Sequence, residues 1–401
     1  MLVNFKVKNF RSFKEKVEFS MEAAAEIVEH RESHVRNIGG YDLLKSAVLF
    51  GANASGKSNF VKALASLYLL ITEPTKDANE SLIANTFFGN SQNISYQIEF
   101  IKNSKHFCYE LEVNVNEVVV EKLFIDDKLY FERQKQKFVK IPEKIDGQVE
   151  NIRCNQLLIF FAQSQNDPDA IDAYTWFNQD LIFANFGRQQ ISDIKDLMSN
   201  LKNNKFKEKF LAFLKYADFS ITNVDVLDNI PKLDEVSARN YPIWLHIITT
   251  HIDEDGKEFR ITMLDESEGT QEFVLIALQL MFKNLDKGKV LIFDEFNRSL
   301  HQELSQAVLH LINSEKQINQ FILTTHELSL ISNNLRRDQI YFTEKNQNGS
   351  TDIYSLYDFD DTEICEEDID HKMRYLAGSY GAIPIISTVV LESILEEDDD
   401  V

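Results

Sequence analysis

The sequence predicts an α/β fold with a parallel core sheet, a flanking antiparallel sheet and an inserted helical lobe. In the last third of the chain, strand and helix patterns alternate at Val290–Phe293, 304–313 and 321–324, a rhythm typical of parallel strands joined by crossover helices. Residues 94–131 contain several runs of alternating apolar and polar side chains, which indicate an antiparallel meander. From 167 to 216 the apolar spacing becomes helical.

The composition is that of a large acidic globular chain, with 401 residues, 44% of them hydrophobic. That is enough to bury one large core or the cores of two closely packed lobes. Cys108, Cys154 and Cys365 lack the spacing of a zinc site, and three cysteines do not make a disulfide framework. The sequence contains neither a signal-peptide pattern nor an apolar run of the ~20 residues that a membrane span needs. We therefore expect a soluble, cytoplasmic protein with no membrane partner.

The formal net charge of −22 argues against a protein that coats nucleic acid over its whole surface, because such binding depends on clustered Lys and Arg side chains. Two short basic runs, 133–140 and 202–209, are local exceptions. Runs of this length are more often solvated faces than binding sites. The acidic end of the chain, 396–400, is predicted to be a disordered tail.

A phosphate-binding loop follows the first short apolar strand. Residues 51–58, Gly-Ala-Asn-Ala-Ser-Gly-Lys-Ser, match the pattern G-x-x-x-x-G-K-[ST] between a strand at 47–50 and a predicted helix at 57–70. This context distinguishes a P-loop from an ordinary glycine-rich turn. Backbone N–H groups would surround the phosphates, the lysine would reach the β and γ oxygens, and the last serine would ligate Mg²⁺. The residues predicted to bind a nucleoside triphosphate here are Gly51, Asn53, Gly56, Lys57 and Ser58.

Another apolar strand is followed directly by two carboxylate residues. Val290–Phe293 is followed directly by Asp294 and Glu295, at the end of a strand where α/β sheets bind their ligands. We predict that Asp294 holds Mg²⁺, directly or through water. Glu295 would polarise the water that attacks the γ-phosphate. An apolar strand that ends in Asp-Glu is common by itself. The P-loop upstream is the feature that makes a catalytic role the better interpretation.

Two further patterns are weaker evidence for a functional site when each is considered alone. Residues 264–271 form a polar loop, with Ser267 and Gly269, that opens a long helix predicted at 272–282. Such a loop is either an anion site or an ordinary helix cap. The strand 321–324 leads to His326, which is either a structural residue or a group that faces a ligand.

Taken together, these motifs resemble those of the ABC-type heads of the SMC, RecF and related ATPases. The shared order is a P-loop, a distant Ser-x-Gly-x-Gln loop, Asp-Glu, and then Thr-Thr-His. The segment 9–13 (NFRSF), Asn59 and the segment 297–301 match this group too. The sequence is most similar to the bacterial AAA-type ATP-binding family that includes the abortive-infection AbiL and RloA-like proteins, through the late segment 375–384. The resemblance spans nearly the whole chain.

The resemblance implies a P-loop NTPase of the ABC-head type, in which two copies sandwich two molecules of ATP with Mg²⁺. Ser267 and Gly269 would form a signature loop that contacts the γ-phosphate bound by the second copy. His326 would be the switch histidine on the γ-phosphate, acting with Glu295 and Lys57 in catalysis.

Other roles follow from the same resemblance. Arg11 and Asn59 would lie near the bound nucleotide, and residues 297–301 would cross the dimer interface. A glutamine that couples the nucleotide to the inserted lobe is assigned to Gln163 in preference to Gln97.

Four regions are predicted on this basis: an N-terminal ATPase lobe (1–165), an inserted helical lobe (166–225), a C-terminal ATPase lobe with the signature loop, Asp-Glu pair and switch histidine (226–350), and an extension with an acidic tail (351–401). The insertion is too short for the coiled coils of SMC proteins. Residues 354–401 are too few for a C-terminal nuclease domain, so a nuclease effector would be a separate protein.

The leading hypothesis is a dimeric, nucleotide-driven switch that acts on an effector protein in defence against phage. The alternative is a RecF-like or SMC-like repair ATPase that grips DNA on its basic lobe when ATP closes the dimer. A transporter subunit is disfavoured because the segments 9–13 and 267–271 depart from transporter usage.

Overall fold

A computed structural model describes residues 1–184, 200–217, 219–227, 247–281, 288–331, 334–359 and 370–383, together with positions 387, 388, 392 and 394. The predictions made for Cys365, for the acidic tail 396–400 and for part of the helical segment, 185–199, lie outside the described residues.

The elements of the described residues are numbered in chain order. The helices are α1 (Arg31–His34), α2 (Lys57–Thr72), α3 (Leu158–Ser164), α4 (Pro168–Thr175), α5 (Asn204–Tyr216), α6 (Glu268–Met281), α7 (Gln302–Ile312) and α8 (His371–Leu376). The strands are β1 (Leu2–Lys8), β2 (Val17–Ser20), β3 (Val35–Ile38), β4 (Tyr41–Leu44), β5 (Ser46–Phe50), β6 (Ile94–Lys102), β7 (Lys105–Val113), β8 (Val118–Ile125), β9 (Lys128–Gln134), β10 (Lys137–Lys140), β11 (Leu181–Phe183), β12 (Asn223–Val226), β13 (Ile247–Ile252), β14 (Glu258–Thr262), β15 (Val290–Phe293), β16 (Gln320–Thr325), β17 (Ile340–Lys345) and β18 (Thr351–Ser355).

The core sheet has the strand order β11-β15-β16-β5-β17-β18 in the described part of the chain. Neighbouring strands from β11 to β17 are parallel, and β18 is antiparallel to β17. Strands β5, β15 and β16 are buried along their whole length. Burial on both faces explains why each reads as an almost continuous apolar run instead of an alternating one. The predicted parallel core sheet is confirmed.

The predicted antiparallel sheet is also confirmed. Its order is β10-β9-β8-β7-β6-β1-β2, and consecutive strands from β6 to β10 are joined as hairpins. Alternate side chains of β6 and β7 are buried, as their alternating sequence requires. The sheet packs on α2, where the ring of Phe60 lies 5.9 Å from Phe5 of β1 and 4.8 Å from Phe19 of β2, and the hydroxyl of Tyr96 on β6 donates to Oγ of Ser66 at 3.2 Å. Helix α2 is therefore held in place by this sheet.

The segment 166–225 contains strands as well as helices α4 and α5. Leu181–Phe183 forms β11, which pairs in parallel with β15 at the edge of the core sheet. Asn223–Val226 forms β12, which pairs with β13 in a separate antiparallel sheet. The three apolar residues of β11 are buried, and this burial offsets the polar, helix-like sequence around them. The core sheet therefore extends into the predicted insertion, and the division into four regions stays a prediction.

Arg133 does not belong to a solvated basic face. Its side chain is fully buried. The guanidinium donates to the carbonyl oxygens of Gln156 (2.5 Å) and Arg153 (3.1 Å), and it lies 4.0 Å from the carboxylate of Glu121. The interpretation of 133–140 as a solvated run is therefore wrong for its first residue, because main-chain carbonyls and a buried carboxylate satisfy the cation.

Candidate functional site

The P-loop, the Asp-Glu pair and the histidine follow three adjacent strands. Strands β15, β16 and β5 are neighbours and run parallel, so their carboxyl ends meet at one edge of the core sheet. Asp294, His326 and Gly51 are the first residues beyond those ends, and the register aligns Thr325 with Phe50 directly before them. Doubly wound sheets bind ligands at this edge.

Lys57 shares an electrostatic environment with both carboxylates. Its side chain is only 5% exposed, and its Nζ donates to the carbonyl oxygens of Gly51 (2.6 Å) and Ala52 (2.9 Å). Burial lowers the pKa of Lys57, and the nearby carboxylates of Glu295 and Asp294 oppose that shift. The cation of the P-loop thus interacts electrostatically with an acidic pair that lies more than two hundred residues away in the sequence. A magnesium-bound triphosphate needs such an arrangement of one lysine and one or two carboxylates.

Both P-loop glycines are required by close contacts. A Cβ atom on Gly51 would lie 2.3 Å from Oγ1 of Thr343, and one on Gly56 would lie 2.5 Å from Oγ1 of Thr351. Gly56 also has a φ of 122°, which L side chains rarely adopt. Glycine at these two positions therefore has a steric reason as well as a phosphate-binding one.

The other residues predicted for nucleotide contact surround this loop. Asn53 is exposed on the P-loop, and Ser58 is partly exposed in the first turn of α2. Asn59 Nδ2 donates to Oγ of Ser12 at 2.8 Å, which attaches the N-terminal turn 9–13 to α2. Arg11, in the same turn, is exposed and has a φ of 48°. The roles of these side chains toward a nucleotide stay predictions.

Thr324 bonds both carboxylate residues, although no sequence motif predicted a role for it. Its Oγ1 donates to Oδ1 of Asp294 at 2.6 Å and accepts from the main-chain N–H of Glu295 at 2.8 Å. Glu295 has a φ of 52°, a left-handed conformation that costs about 1 kcal/mol or more for a residue other than glycine. Surrounding contacts must stabilise such a backbone, and the hydrogen bond from Glu295 N–H to Thr324 is one of them. The sequence feature that could have indicated Thr324 is the pair of threonines at 324–325, at the end of a buried strand.

Ser267 acts as a helix cap in the single chain. Its Oγ accepts from the main-chain N–H of Thr270 at 3.2 Å, so α6 begins at Glu268, one turn before the predicted start at 272. A Cβ on Gly269 would lie 2.6 Å from the carbonyl oxygen of Ser299. The loop therefore packs against the segment 297–301, and its predicted role toward a second copy stays open.

A half-buried carboxylate joins the same two segments. Glu272, on α6, accepts from the main-chain N–H of Ser299 at 3.0 Å. Burial raises the pKa of Glu272 to about 7. Ser299 Oγ also approaches Oε2 of Glu268 at 3.4 Å. Helix α6 thus positions the segment that follows the Asp-Glu pair.

The switch-histidine candidate is accessible. His326 is exposed, and the main-chain N–H of the next residue, Glu327, donates to Oγ1 of Thr325 at 2.9 Å. Thr325 Oγ1 in turn donates to Oδ1 of the buried Asn297 at 2.8 Å. The strand end that carries His326 is therefore connected to the segment 297–301.

Among the described residues, no contact is found between Gln163 and the residues at the carboxyl edge of the core sheet. Gln163 lies on α3, and its carbonyl oxygen accepts from the N–H of Asn166 at 3.0 Å. Gln97, the other candidate, lies on β6 and donates from Nε2 to Glu99 at 3.1 Å. The assignment of a coupling glutamine stays a prediction.

The family of this chain is shown by a match to a known protein family. Residues 46–332 match the profile of the family described as "AAA domain, putative AbiEii toxin, Type IV TA system". The chain belongs to this AAA family. The match includes the P-loop, the loop at 264–271, the Asp-Glu pair and His326, and it places a P-loop nucleotide-binding domain in this chain. No curated protein matches the sequence.

Solved structures similar to this AAA-family protein are head domains of SMC proteins. An SMC head bound to the C-terminal winged-helix domain of ScpA is 13% identical, with 88% of this chain and 97% of that chain covered and a TM-score of 0.49. The SMC head domain from Thermotoga maritima is 12% identical, with 88% and 98% covered and a TM-score of 0.41. A head from Pyrococcus furiosus, bound to the C-terminal domain of ScpA, is 12% identical, with 88% and 96% covered and a TM-score of 0.45.

Neither a membrane span nor a preformed metal cluster is found in the described residues. No helix among them has the length and apolar character needed to cross a bilayer. They contain no group of three or more His, Cys, Asp or Glu side chains arranged around one metal ion. A Mg²⁺ ion bound with a nucleotide does not need such a group, since phosphate oxygens and waters complete its ligands. The hydroxyl of Ser58 and the carboxylate of Asp294 are of the chemical type that this ion takes from a protein.

Proposed function

We propose that this AAA-family protein hydrolyses ATP at a site completed by a second copy of the chain, and that the opening and closing of this dimer controls a separate effector in a bacterial abortive-infection system. The observation that supports the ATPase is the shared environment of Lys57, Asp294 and Glu295 at the carboxyl edge of the core sheet. Phosphoryl transfer is catalysed mainly by positioning and by charge stabilisation, and these three side chains supply both.

Each residue has a defined task in this reaction. Lys57 binds the β and γ oxygens, and the N–H groups at the start of α2 receive the phosphates. Asp294, held by Thr324, provides the carboxylate for Mg²⁺, which neutralises charge on the phosphates when it is bound. Glu295 orients the attacking water and accepts its proton. His326 contacts the γ-phosphate from the adjacent strand end.

The dimer is proposed because the resemblance to ABC-type heads implies that the loop with Ser267 and Gly269 contacts the γ-phosphate bound by another copy. In one chain, Ser267 and Gly269 contact α6 and the segment 297–301. That segment is attached to the strand end before His326 through the Asn297–Thr325 hydrogen bond. When one copy docks this loop on the γ-phosphate bound by the other copy, the contact would therefore be connected to the catalytic edge of the copy that supplies the loop.

The setting and the partner are proposed from family membership. The description of the family names a toxin of a type IV system, and the resemblance to AbiL and RloA-like proteins points to abortive infection as well. The DNA-binding repair ATPase stays the alternative; Arg133, in the first of the two basic runs, is buried and does not present its charge to solvent. Strongly salt-dependent affinity for duplex DNA in the presence of ATP would favour the repair alternative instead.

The trans-acting loop is tested with Ser267→Asp and Ser267→Asn. Both substitutions keep a side chain that caps a helix, and only aspartate adds a negative charge that would repel the γ-phosphate of the other copy. We expect the ATPase rate to fall at least tenfold in Ser267→Asp and to stay within about threefold in Ser267→Asn. The measurement is steady-state phosphate release.

A mixture of Ser267→Asp with Lys57→Ala decides whether the loop acts in trans. In a mixed dimer, one site combines the intact P-loop of the first variant with the intact loop of the second, so activity should return although neither variant is active alone. No recovery in mixtures that demonstrably exchange subunits would contradict a shared site.

Thr324→Val tests how the carboxylates are held. Valine keeps the shape of threonine and removes the hydroxyl that donates to Asp294 and accepts from the N–H of Glu295. We expect kcat for ATP hydrolysis to fall about tenfold to a hundredfold, because both groups lose their orientation. Thr324→Ser keeps the hydroxyl and serves as the control. Equal kcat values for the valine and serine variants would mean that Thr324 does not position the pair.

A further inference from the structure

The hairpin β17–β18 holds the P-loop through two buried hydroxyl groups. Oγ1 of Thr343 lies 2.6 Å from Oγ of Ser55 and donates to the carbonyl oxygen of Phe50 at 3.4 Å. Oγ1 of Thr351 donates to the carbonyl oxygen of Ser55 at 2.8 Å. Ser55, Thr343 and Thr351 are each no more than 4% exposed. One hairpin thus contacts both the first and the last part of the phosphate-binding loop.

The bond from Thr351 fixes a peptide group that matters for phosphate binding. The carbonyl of Ser55 and the N–H of Gly56 belong to the same peptide unit. Because a trans peptide is planar, its C=O and its N–H point in opposite directions. Anchoring the carbonyl to Thr351 on one side therefore directs the N–H of Gly56 to the other side, away from the hairpin. In a P-loop the backbone N–H groups are the phosphate ligands, so their direction determines the affinity.

The fit between hairpin and loop leaves little room for movement. Beyond the two hydroxyl contacts, a Cβ on Gly56 would lie 2.5 Å from both Oγ1 and Cγ2 of Thr351. The main-chain N–H of Thr351 donates to the carbonyl oxygen of Ser12 at 2.7 Å, and Oγ of Ser12 accepts from Asn59 on α2. The threonine therefore lies against the P-loop and the N-terminal turn together.

The hairpin is itself supported by residues 370–383, which include α8. The ring of Phe342, next to Thr343, lies 5.3 Å from Tyr375 and 5.7 Å from Tyr380. The hydroxyl of Tyr354 donates to the carbonyl oxygen of Tyr380 at 2.7 Å. Residues 370–383 thus pack on the element that contacts the P-loop, although they lie about three hundred residues after it in the sequence.

We propose that Thr351, assisted by Thr343, is a positioning residue for nucleotide binding, which holds the Ser55–Gly56 peptide so that its N–H faces the phosphates. The proposal rests on the proposed function, in that it assumes a triphosphate at this loop. Neither threonine touches the nucleotide in this scheme. Each acts through Ser55, and the effect of losing one should appear in the affinity for Mg-ATP before it appears in the rate of hydrolysis.

The test replaces Thr351 by valine, which keeps the β-branched shape and removes the hydroxyl. We expect the Kd of Mg-ATP, measured by titration calorimetry, to rise about tenfold, with kcat at saturating ATP within about twofold of the unmodified protein. Thr351→Ser restores the hydroxyl and should restore the Kd. Thr343→Val should weaken binding in the same direction.

Ser350→Ala is the matched control for the stability of the hairpin. Ser350 precedes Thr351, is buried, and donates from Oγ to Asn348 at 2.6 Å within the turn, without a hydrogen bond to the P-loop. Its replacement should leave the Kd within about twofold. If Ser350→Ala weakens binding as much as Thr351→Val, or if Thr351→Val binds Mg-ATP normally, the positioning role is wrong.

Amide hydrogen exchange without nucleotide separates this proposal from the proposed function. In Thr351→Val, the N–H groups of residues 55–58 should exchange faster than in the unmodified protein, whereas in Thr351→Ser they should not. Failure of the unmodified protein to bind Mg-ATP would overturn the proposed function. Unchanged exchange in Thr351→Val would overturn the contact between hairpin and loop, whatever the protein binds.

Discussion

Lys57→Ala should abolish ATP binding at micromolar nucleotide concentrations and reduce hydrolysis to background. The substitution removes the cation that interacts with Asp294 and Glu295, so two carboxylates and a triphosphate would share the site without the charge of this lysine. Loss of a buried, charged hydrogen-bond partner weakens binding by about a hundredfold or more. Titration calorimetry with Mg-ATP measures the binding, and phosphate release measures the turnover.

The control for this variant is Lys62→Ala on the same helix. Lys62 lies five residues further along α2 and is partly exposed, so its removal changes the net charge equally without touching the loop. Thermal unfolding should show that both variants are folded. Normal ATP hydrolysis by Lys57→Ala would contradict the assignment of residues 51–58 as the nucleotide site.

Glu295→Gln should retain ATP binding, lower kcat about a hundredfold to a thousandfold, and accumulate as an ATP-loaded dimer. The amide has the size of the carboxylate but does not accept a proton, so water activation is lost while the loop and Lys57 remain intact. The left-handed backbone at position 295 is also unaffected, because its N–H still donates to Thr324. Light scattering after size-exclusion chromatography, with Mg-ATP in the buffer, measures the mass.

Glu303→Gln is a suitable comparison, since Glu303 is an exposed carboxylate in the first turn of the neighbouring α7. It should hydrolyse ATP at the normal rate and should not accumulate as a dimer. A Glu295→Gln protein that binds ATP and remains monomeric would refute the sandwich, and one with normal kcat would remove Glu295 from the chemistry.

Local sequence patterns were sufficient where one physical rule dominated. The strand Val290–Phe293 was predicted with its observed bounds, because a parallel strand buried on both faces has to be apolar throughout. The P-loop was recognisable because phosphate binding fixes glycine, lysine and serine at set positions within eight residues.

Patterns failed where a tertiary contact overrode a local tendency. Arg133 looked solvated, and it is buried because carbonyl groups of the distant segment 153–156 and the carboxylate of Glu121 satisfy its guanidinium. Helix α6 begins one turn before its predicted start, because Ser267 serves as its cap. Neither outcome can be derived from the spacing of apolar residues.

By itself, the sequence determined the α/β class, the phosphate loop and the chemical types of the side chains available for catalysis, since these depend on residues close together in the chain. Only the tertiary structure decided that Lys57 interacts electrostatically with Asp294 and Glu295, that Thr324 bonds both acidic residues, and that a late hairpin contacts the loop through Thr351. The reason is physical: strand order and register bring distant segments to one edge of a sheet, and hydroxyl contacts of a few ångströms depend on that packing.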